Sequence, residues 1–196
     1  MPSFEYDQRY LQAGIEQLEA YLLARDLYWP IGINPPKGEP PYAQLTPGGL
    51  LLARQRLEST VETPTQQADL ARLRQRLEAV CRQWRTAWGN KARQDFHARL
   101  KLWRDFLEEY REKPSAHFDR YGYEVGRRVQ LHLLAGEAID LPPAELEAVN
   151  GLDKLLRAIF RPGSFIWEAI LISSFPSQTY WYLYGALKEE SIEASL

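Results

Sequence analysis

Apolar side chains recur every three or four positions through most of this chain, the rhythm of helices packed side by side. Leu11, Ile15, Leu18 and Leu22 form one stripe, widened by Tyr10 and Tyr21. They predict a helix over about residues 4–26 with Ser3 as N-cap. Thr46–Pro47 opens a second helix. The threonine caps, the proline sits where a missing N–H costs nothing, and Leu45 and Leu50 are spaced as a hydrophobic staple. Gly48 and Gly49 weaken its first turn, and it is expected to reach about residue 61. Thr63, Pro64 and Gln66 repeat the start signal as a capping box.

Two seams follow. Leu70, Leu73, Leu77, Val80 and Trp84 keep alternating three- and four-residue steps, and so do Phe96, Leu100, Trp103, Leu107 and Tyr110. Trp84, Trp88, Ala92 and Phe96 join them at four-residue steps. Residues 64–112 therefore read as one long helix kinked near Gly89–Asn90, or as a hairpin turning there. The continuous helix is favoured, because two residues make a short helix–helix connection.

After Lys113–Pro114, Ser115 can cap a helix to about Ala135, in which Gly122 and Gly126 leave a narrow edge for a close neighbour. "IDLPPAELEAV" opens another helix that reaches Phe160, with Asn150–Gly151 as a potential break. "RPGS" (161–164) reads as a turn. The apolar segment 165–175 follows, and periodicity does not tell helix from strand in it. A last helix is expected from Pro176 through "PSQTYWYLYGALKEE", with residues 190–196 as a frayed tail. The pattern as a whole predicts an all-α fold. It is a single domain over residues 1–196, a bundle of about six or seven helices around a long central one.

One stretch breaks the rhythm. Residues 27–46 carry Pro30, Pro35, Pro36, Pro40 and Pro41. Prolines on this scale make a stiff extended strap with little entropy left to lose. It would cross the bundle from the first helix to the second, pinned by Tyr28, Trp29, Ile31, Ile33 and Tyr42. A strap of this length can also lid a cleft or dock a partner.

Composition narrows the function classes. A chain of 196 residues, 45% hydrophobic and 26% charged, can bury a core without disulfides or metal. Cys81 is the single cysteine, which suits a reducing, cytoplasmic location. The first residues show no basic stretch followed by an apolar run, so no secretion signal is expected. The most apolar window, "FIWEAILISSF", carries Glu168 and stops at Pro176, too short to span a bilayer. The net charge of −2 is uneven: residues 72–128 hold 15 Lys/Arg against 8 Asp/Glu. That basic middle could attract an anionic partner or meet the acidic ends of its own chain.

Catalytic and cofactor signatures are missing. His97, His117 and His132 show no mutual helical spacing and no HExxH, so no metal is assigned. Cys81 lies beside Val80 on an apolar face, where cysteine acts as a small hydrophobe, and Arg82 and Arg85 should point elsewhere. No GxSxG, GxxxxGK[ST] or GxGxxG occurs, and no cofactor is expected. Glu78–Arg82, Lys101–Asp105 and Arg104–Glu108 read as ion pairs on solvated helix faces. Glu168 stands among Ile166, Trp167, Ala169 and Ile170, which calls for a partner such as Arg157 or Arg161. Tyr180, Trp181, Tyr182 and Tyr184 crowd one segment. On a helix, Tyr180 and Tyr184 would share a face while Trp181 and Tyr182 point away. One neighbour cannot bury them all, so the segment suits an interface or a cavity wall.

These readings lead to a non-enzymatic protein-interaction or scaffold module, acting through self-association or a protein partner. Trp29, Tyr42, Glu168, Tyr180, Trp181 and Tyr184 are its candidate binding residues. Two alternatives stand beside it. One is a small-ligand binder or enzyme with an apolar aromatic pocket around Glu168. The other is a nucleic-acid-binding protein using residues 72–128, although its tryptophans lie on the apolar seam.

Overall fold

The computed structural model describes residues 3–189. Side-chain caps set the first three helix starts. Ser3 Oγ accepts from the Tyr6 amide (3.2 Å) and opens α1 (Phe4–Leu23). Thr46 Oγ1 accepts from the Gly49 amide (3.1 Å) and opens α2 (Pro47–Thr60). Thr63 and Gln66 close a reciprocal capping box at α3 (Pro64–Gln83). There follow α4 (Arg85–Glu112), the short α5 (Pro114–His117), α6 (Tyr121–Ala135) and α7 (Pro143–Ile159). The fold is mainly all-α, with one small antiparallel sheet of β1 (Phe160–Phe165) and β2 (Tyr184–Leu187). Among the described residues no helix is long and apolar enough to cross a membrane.

α4 is the axis of the core. Its buried Phe96, Leu100, Trp103, Leu107 and Tyr110 are the second seam read from the sequence, Phe106 is buried beside them, and α6 packs along it with Val125 and Val129. The long helix does bend, but at Trp84 rather than at Gly89. The i−4 ladder continues through the bend, from the Trp84 amide to the Val80 carbonyl and from the Trp88 amide to the Trp84 carbonyl (both 2.9 Å). Trp84 itself leaves helical geometry at φ −108°, ψ 34°, and its indole N–H reaches Glu19 on α1 (3.3 Å). The bend lets α3 lie on α1 while α4 lies on α6. Gly89 serves closeness instead: a Cβ there would sit 2.5 Å from Ile139 Cγ2.

The strap runs extended beside α1. Prolines supply carbonyls but no N–H, so the segment needs donors from outside. One face of α1 supplies them. Tyr6, Tyr10, Gln17 and Tyr21 donate to the carbonyls of Pro41 (3.3 Å), Gln44 (3.1 Å), Ile31 (2.6 Å) and Leu27 (2.9 Å). Trp29 and Leu45 exchange backbone hydrogen bonds (2.7 and 3.2 Å) and close the strap into a loop. Ile31 is buried, but Tyr28 and Ile33 are exposed rather than pinning.

Where the strap ends, a buried carboxylate receives it. Asp95 on α4 is fully buried and accepts from the Gly48 amide (2.7 Å) and from Arg99 Nε (3.0 Å). Arg99 also reaches Thr46 Oγ1 (3.2 Å). The glycines that weaken α2's first turn are what allow this approach. A Cβ on Gly48 would lie 2.8 Å from Asp95 Oδ2, and one on Gly49 2.6 Å from the Tyr10 hydroxyl oxygen. Two further carboxylate–guanidinium pairs lock the bundle. Asp7 binds Arg56 between α1 and α2, and Arg128 binds Asp153 through two 2.8 Å bonds between α6 and α7.

The C-terminal third departs from the reading of the sequence. No α-helix follows Pro176 among the described residues, only a 3-10 turn at Trp181–Leu183. "RPGS" is not a turn but part of β1, paired Phe160↔Leu187, Arg161↔Ala186 and Pro162↔Gly185, then irregular before Phe165↔Tyr184. The irregularity falls at Pro162–Phe165, where a proline cannot donate to the ladder. Gly185 has φ +150°, and a Cβ there would lie 2.3 Å from the Arg161 carbonyl oxygen, so the strand needs glycine. Segment 165–175 is neither α-helix nor strand beyond Phe165; Ala169–Ser174 forms a 3-10 turn packed on α2. The expected helix 115–135 is interrupted by a 3-10 turn at Phe118–Arg120, and Asn150–Gly151 does not break α7. The Gly122–Gly126 edge meets the Trp167 indole, which donates to the Gly122 carbonyl (2.9 Å), not another helix. The tail expected at 190–196 lies outside the described residues.

Removing Asp95 tests this packing. Asp95→Ala leaves Arg99 and the Gly48 amide without their buried acceptor and is expected to cost about 3–5 kcal/mol in urea unfolding. Lys101→Ala breaks an exposed 2.7 Å pair with Asp105 and should stay within about 0.5 kcal/mol. Equal effects would contradict the role of Asp95.

Candidate functional site

The six residues singled out from the sequence fall into two groups, one on the strap and one in the C-terminal segment. Trp29 and Tyr42 are half-buried against α1. Trp29 Nε1 donates to Gln17 Oε1 (3.0 Å), and the Tyr42 hydroxyl donates to the Tyr6 carbonyl (3.3 Å) with its ring 4.4 Å from that of Tyr6. Burial pushes the Tyr42 hydroxyl up to about 12. Both residues hold the strap down.

The C-terminal group turns inward. Tyr180 is buried, with ring contacts to His132 (5.0 Å) and Phe175 (5.1 Å). Trp181 is half-buried beneath the Arg157 guanidinium, 3.8 Å above its ring. The Tyr184 hydroxyl donates to the Phe175 carbonyl (2.9 Å). Tyr182, expected to point away, is fully buried under Arg128, 4.6 Å from its ring. Glu168 is exposed at the head of the 3-10 turn, where its carbonyl accepts from the Leu171 amide (2.9 Å). The apolar setting expected for its carboxylate is not formed, because the flanking segment is not a helix folded into the core.

A different place has the geometry of a site. A cavity of about 280 Å³ opens where α2, α3, the start of α4 and the connection after α6 meet. Leu51 and Leu77 are buried in its walls, and Trp88 is buried in its lining with its indole N–H donating to Glu137 Oε2 (2.8 Å). Arg54, Glu78, Cys81 and Arg82 complete it. Arg54 Nε is buried and has no hydrogen-bond partner. Trp103 Nε1 and Tyr182 Oη share that condition, but neither lines the cavity. Arg54, Glu78 and Arg82 make no ion pair within 4.0 Å among the described residues, so the expected Glu78–Arg82 pair is not formed. Arg82 faces the same cavity as Cys81 instead of pointing away.

One signal for this site stood in the sequence. Leu50, Arg54 and Leu57 are spaced four and three apart, which puts an arginine on the apolar stripe of α2. The bend at Trp84, which brings Leu77 and Cys81 together with Trp88, left no such mark.

The thiol in the cavity is held inactive. Burial first, then the negative charges of Glu137 and Glu78, push Cys81 up to about 12, with Arg54 pulling the other way. A thiol so far from ionisation does not serve as a nucleophile near neutral pH. Among the described residues no group of three or more His, Cys, Asp or Glu side chains is placed to hold a metal ion. Much of the basic middle is engaged within the chain. Arg74 faces Glu58, Arg99 pairs with Asp95, Arg120 with Glu109 and Glu124, and Arg128 with Asp153. Lys91 is buried, donating to the Asp26 carbonyl (2.5 Å).

Comparison with known proteins found no matching family, no similar curated protein and no similar solved structure.

The Cys81 environment can be measured directly. Alkylation of the folded protein by iodoacetamide should keep rising with pH beyond 10, because the thiolate is scarce below about 12. Glu137→Gln keeps an acceptor for Trp88 but removes the negative charge that acts most on the thiol, so its profile should move to lower pH. A plateau near pH 8–9 in the unaltered protein would contradict the assignment.

Proposed function

We propose that this chain is a small-ligand-binding protein whose site is the cavity between α2, α3 and α4. The observation that carries the reading is a cavity with an apolar floor and a buried, unpartnered guanidinium donor in its wall. Ligand pockets have this composition: mostly apolar lining with a few polar groups that orient the ligand. At about 280 Å³ the cavity suits a molecule of roughly single- or double-ring size. The suppressed thiol supports binding rather than catalysis. The lone cysteine supports a reducing, cytoplasmic setting.

A fragment screen read by thermal shift tests this. A ligand in the cavity should raise Tm and slow alkylation of Cys81, which lines it. Cys81→Phe places a ring in the same space and should abolish the rise in Tm while the protein stays folded. Fragments that raise Tm equally in Cys81→Phe would place binding elsewhere.

A protein-interaction or self-association module is the second reading. It is favoured by Tyr123 on α6, 81% exposed, and by Ile170 and Ile172, 45% and 44% exposed on the 3-10 turn. Light scattering should then show mass rising with concentration, and Tyr123→Ser or Ile172→Ser should reduce it. A constant monomer mass would remove the self-association form of this reading.

A further inference from the structure

Resting on the cavity reading, we infer that the ligand is a small amphipathic monocarboxylate, its carboxylate on Arg54 and its apolar body against Leu51, Leu77 and Trp88. The polar groups of the cavity decide the sign of the charge. Two are carboxylates and two are guanidiniums, but they stand at different depths. Glu78 and Arg82 are exposed on the rim, free to be solvated. Deeper in, Glu137 already accepts the Trp88 indole N–H (2.8 Å). Arg54 has a buried Nε and no acceptor among the described residues. The interior is therefore short of an acceptor, not of a donor. A buried donor left unmet is costly, and the cost is larger for a charged group.

The geometry of the donor selects the kind of acceptor. A guanidinium presents Nε–H and an Nη–H side by side, a planar fork that matches both oxygens of a carboxylate. A water can meet one of those donors. The nearby carboxylates argue against a more highly charged oxyanion. A phosphate dianion on Arg54 would bring a second negative charge beside Glu137 and Glu78, whose field already reaches Cys81 in the same cavity. A monoanion brings half the charge of a phosphate dianion and matches the single guanidinium whose Nε is unpartnered. The remaining lining of Leu51, Leu77 and the indole has no use for polar substituents, so the rest of the ligand is apolar and flat or compact.

Calorimetry on the full chain with an isosteric series tests the inference: phenylacetate, 2-phenylacetamide and 2-phenylethylamine, with inorganic phosphate as a fourth probe. Phenylacetate is expected to bind and to slow Cys81 alkylation. The amide should be about tenfold weaker or more, and the amine and phosphate weaker still. Arg54→Gln should bring phenylacetate down to about the level of the amide. Far-UV circular dichroism and the Tm of the free protein report whether the Arg54→Gln variant is folded. If the amide or amine binds as tightly as the acid, or Arg54→Gln leaves phenylacetate unaffected, the carboxylate assignment is overturned while the cavity reading stands. Phosphate binding as tightly as phenylacetate would overturn the apolar half. If none of the four binds while the fragment screen yields Cys81-protecting ligands, the class is wrong. If neither experiment yields one, the cavity reading falls with it.

Discussion

A carboxylate with no access to water must be matched by donors, and in this protein that demand falls on Asp95. Its partners come from three directions: Arg99 one turn along α4, the Gly48 amide at the head of α2, and through Arg99 the hydroxyl that caps α2. The N-terminal end of a helix, with its unpaired amides and positive dipole, is a suitable neighbour for such a charge. α2 is thus held on α4 by its own first turn, and the rest of α2 follows from that anchor. Leu51 and Arg54, one and nearly two turns further on, take up their places in the cavity wall.

The proline strap is the means by which the chain reaches that anchor. Between the end of α1 and Thr46 it must cross the bundle without regular structure. It does so with few donors of its own, and the row of hydroxyl and amide groups on α1 supplies them. Tyr6, Tyr10 and Tyr21 accordingly act as apolar core residues with one polar end. The prolines reduce the entropy lost on fixing the crossover. The strap is fastened along its length, so the structure supports its role as scaffold more than as a moving lid.

The helical part was legible because its signals are local. Caps at Ser3, Thr46 and Thr63 and the seam through Phe96, Leu100 and Trp103 each specify structure within a few residues. What was illegible depends on distant partners. Whether Tyr184–Leu187 is strand or helix is decided by Phe160–Phe165 lying beside it and by the backbone of Gly185. The aromatic crowding at Tyr180–Tyr184 read as a surface because a helix could not bury both faces. A strand and a 3-10 turn under Arg128 and Arg157 bury most of it. Glu168 was misplaced for the same reason. The cavity was missed because its walls come from four segments, and only the arginine on an apolar stripe marked it.

The candidate site therefore inherits its shape from an anchor at a distance. If Asp95 did not fix the first turn of α2, Arg54 would have no defined place to hold an unpaired charge. Native-state hydrogen exchange at the Gly48 amide reads that anchor most directly. The account predicts that this amide, though in the first turn of a helix where amides ordinarily exchange with water, exchanges only on global unfolding, as slowly as those of Leu100 and Trp103. Exchange at the rate of an open loop such as that around Gly38 would contradict it.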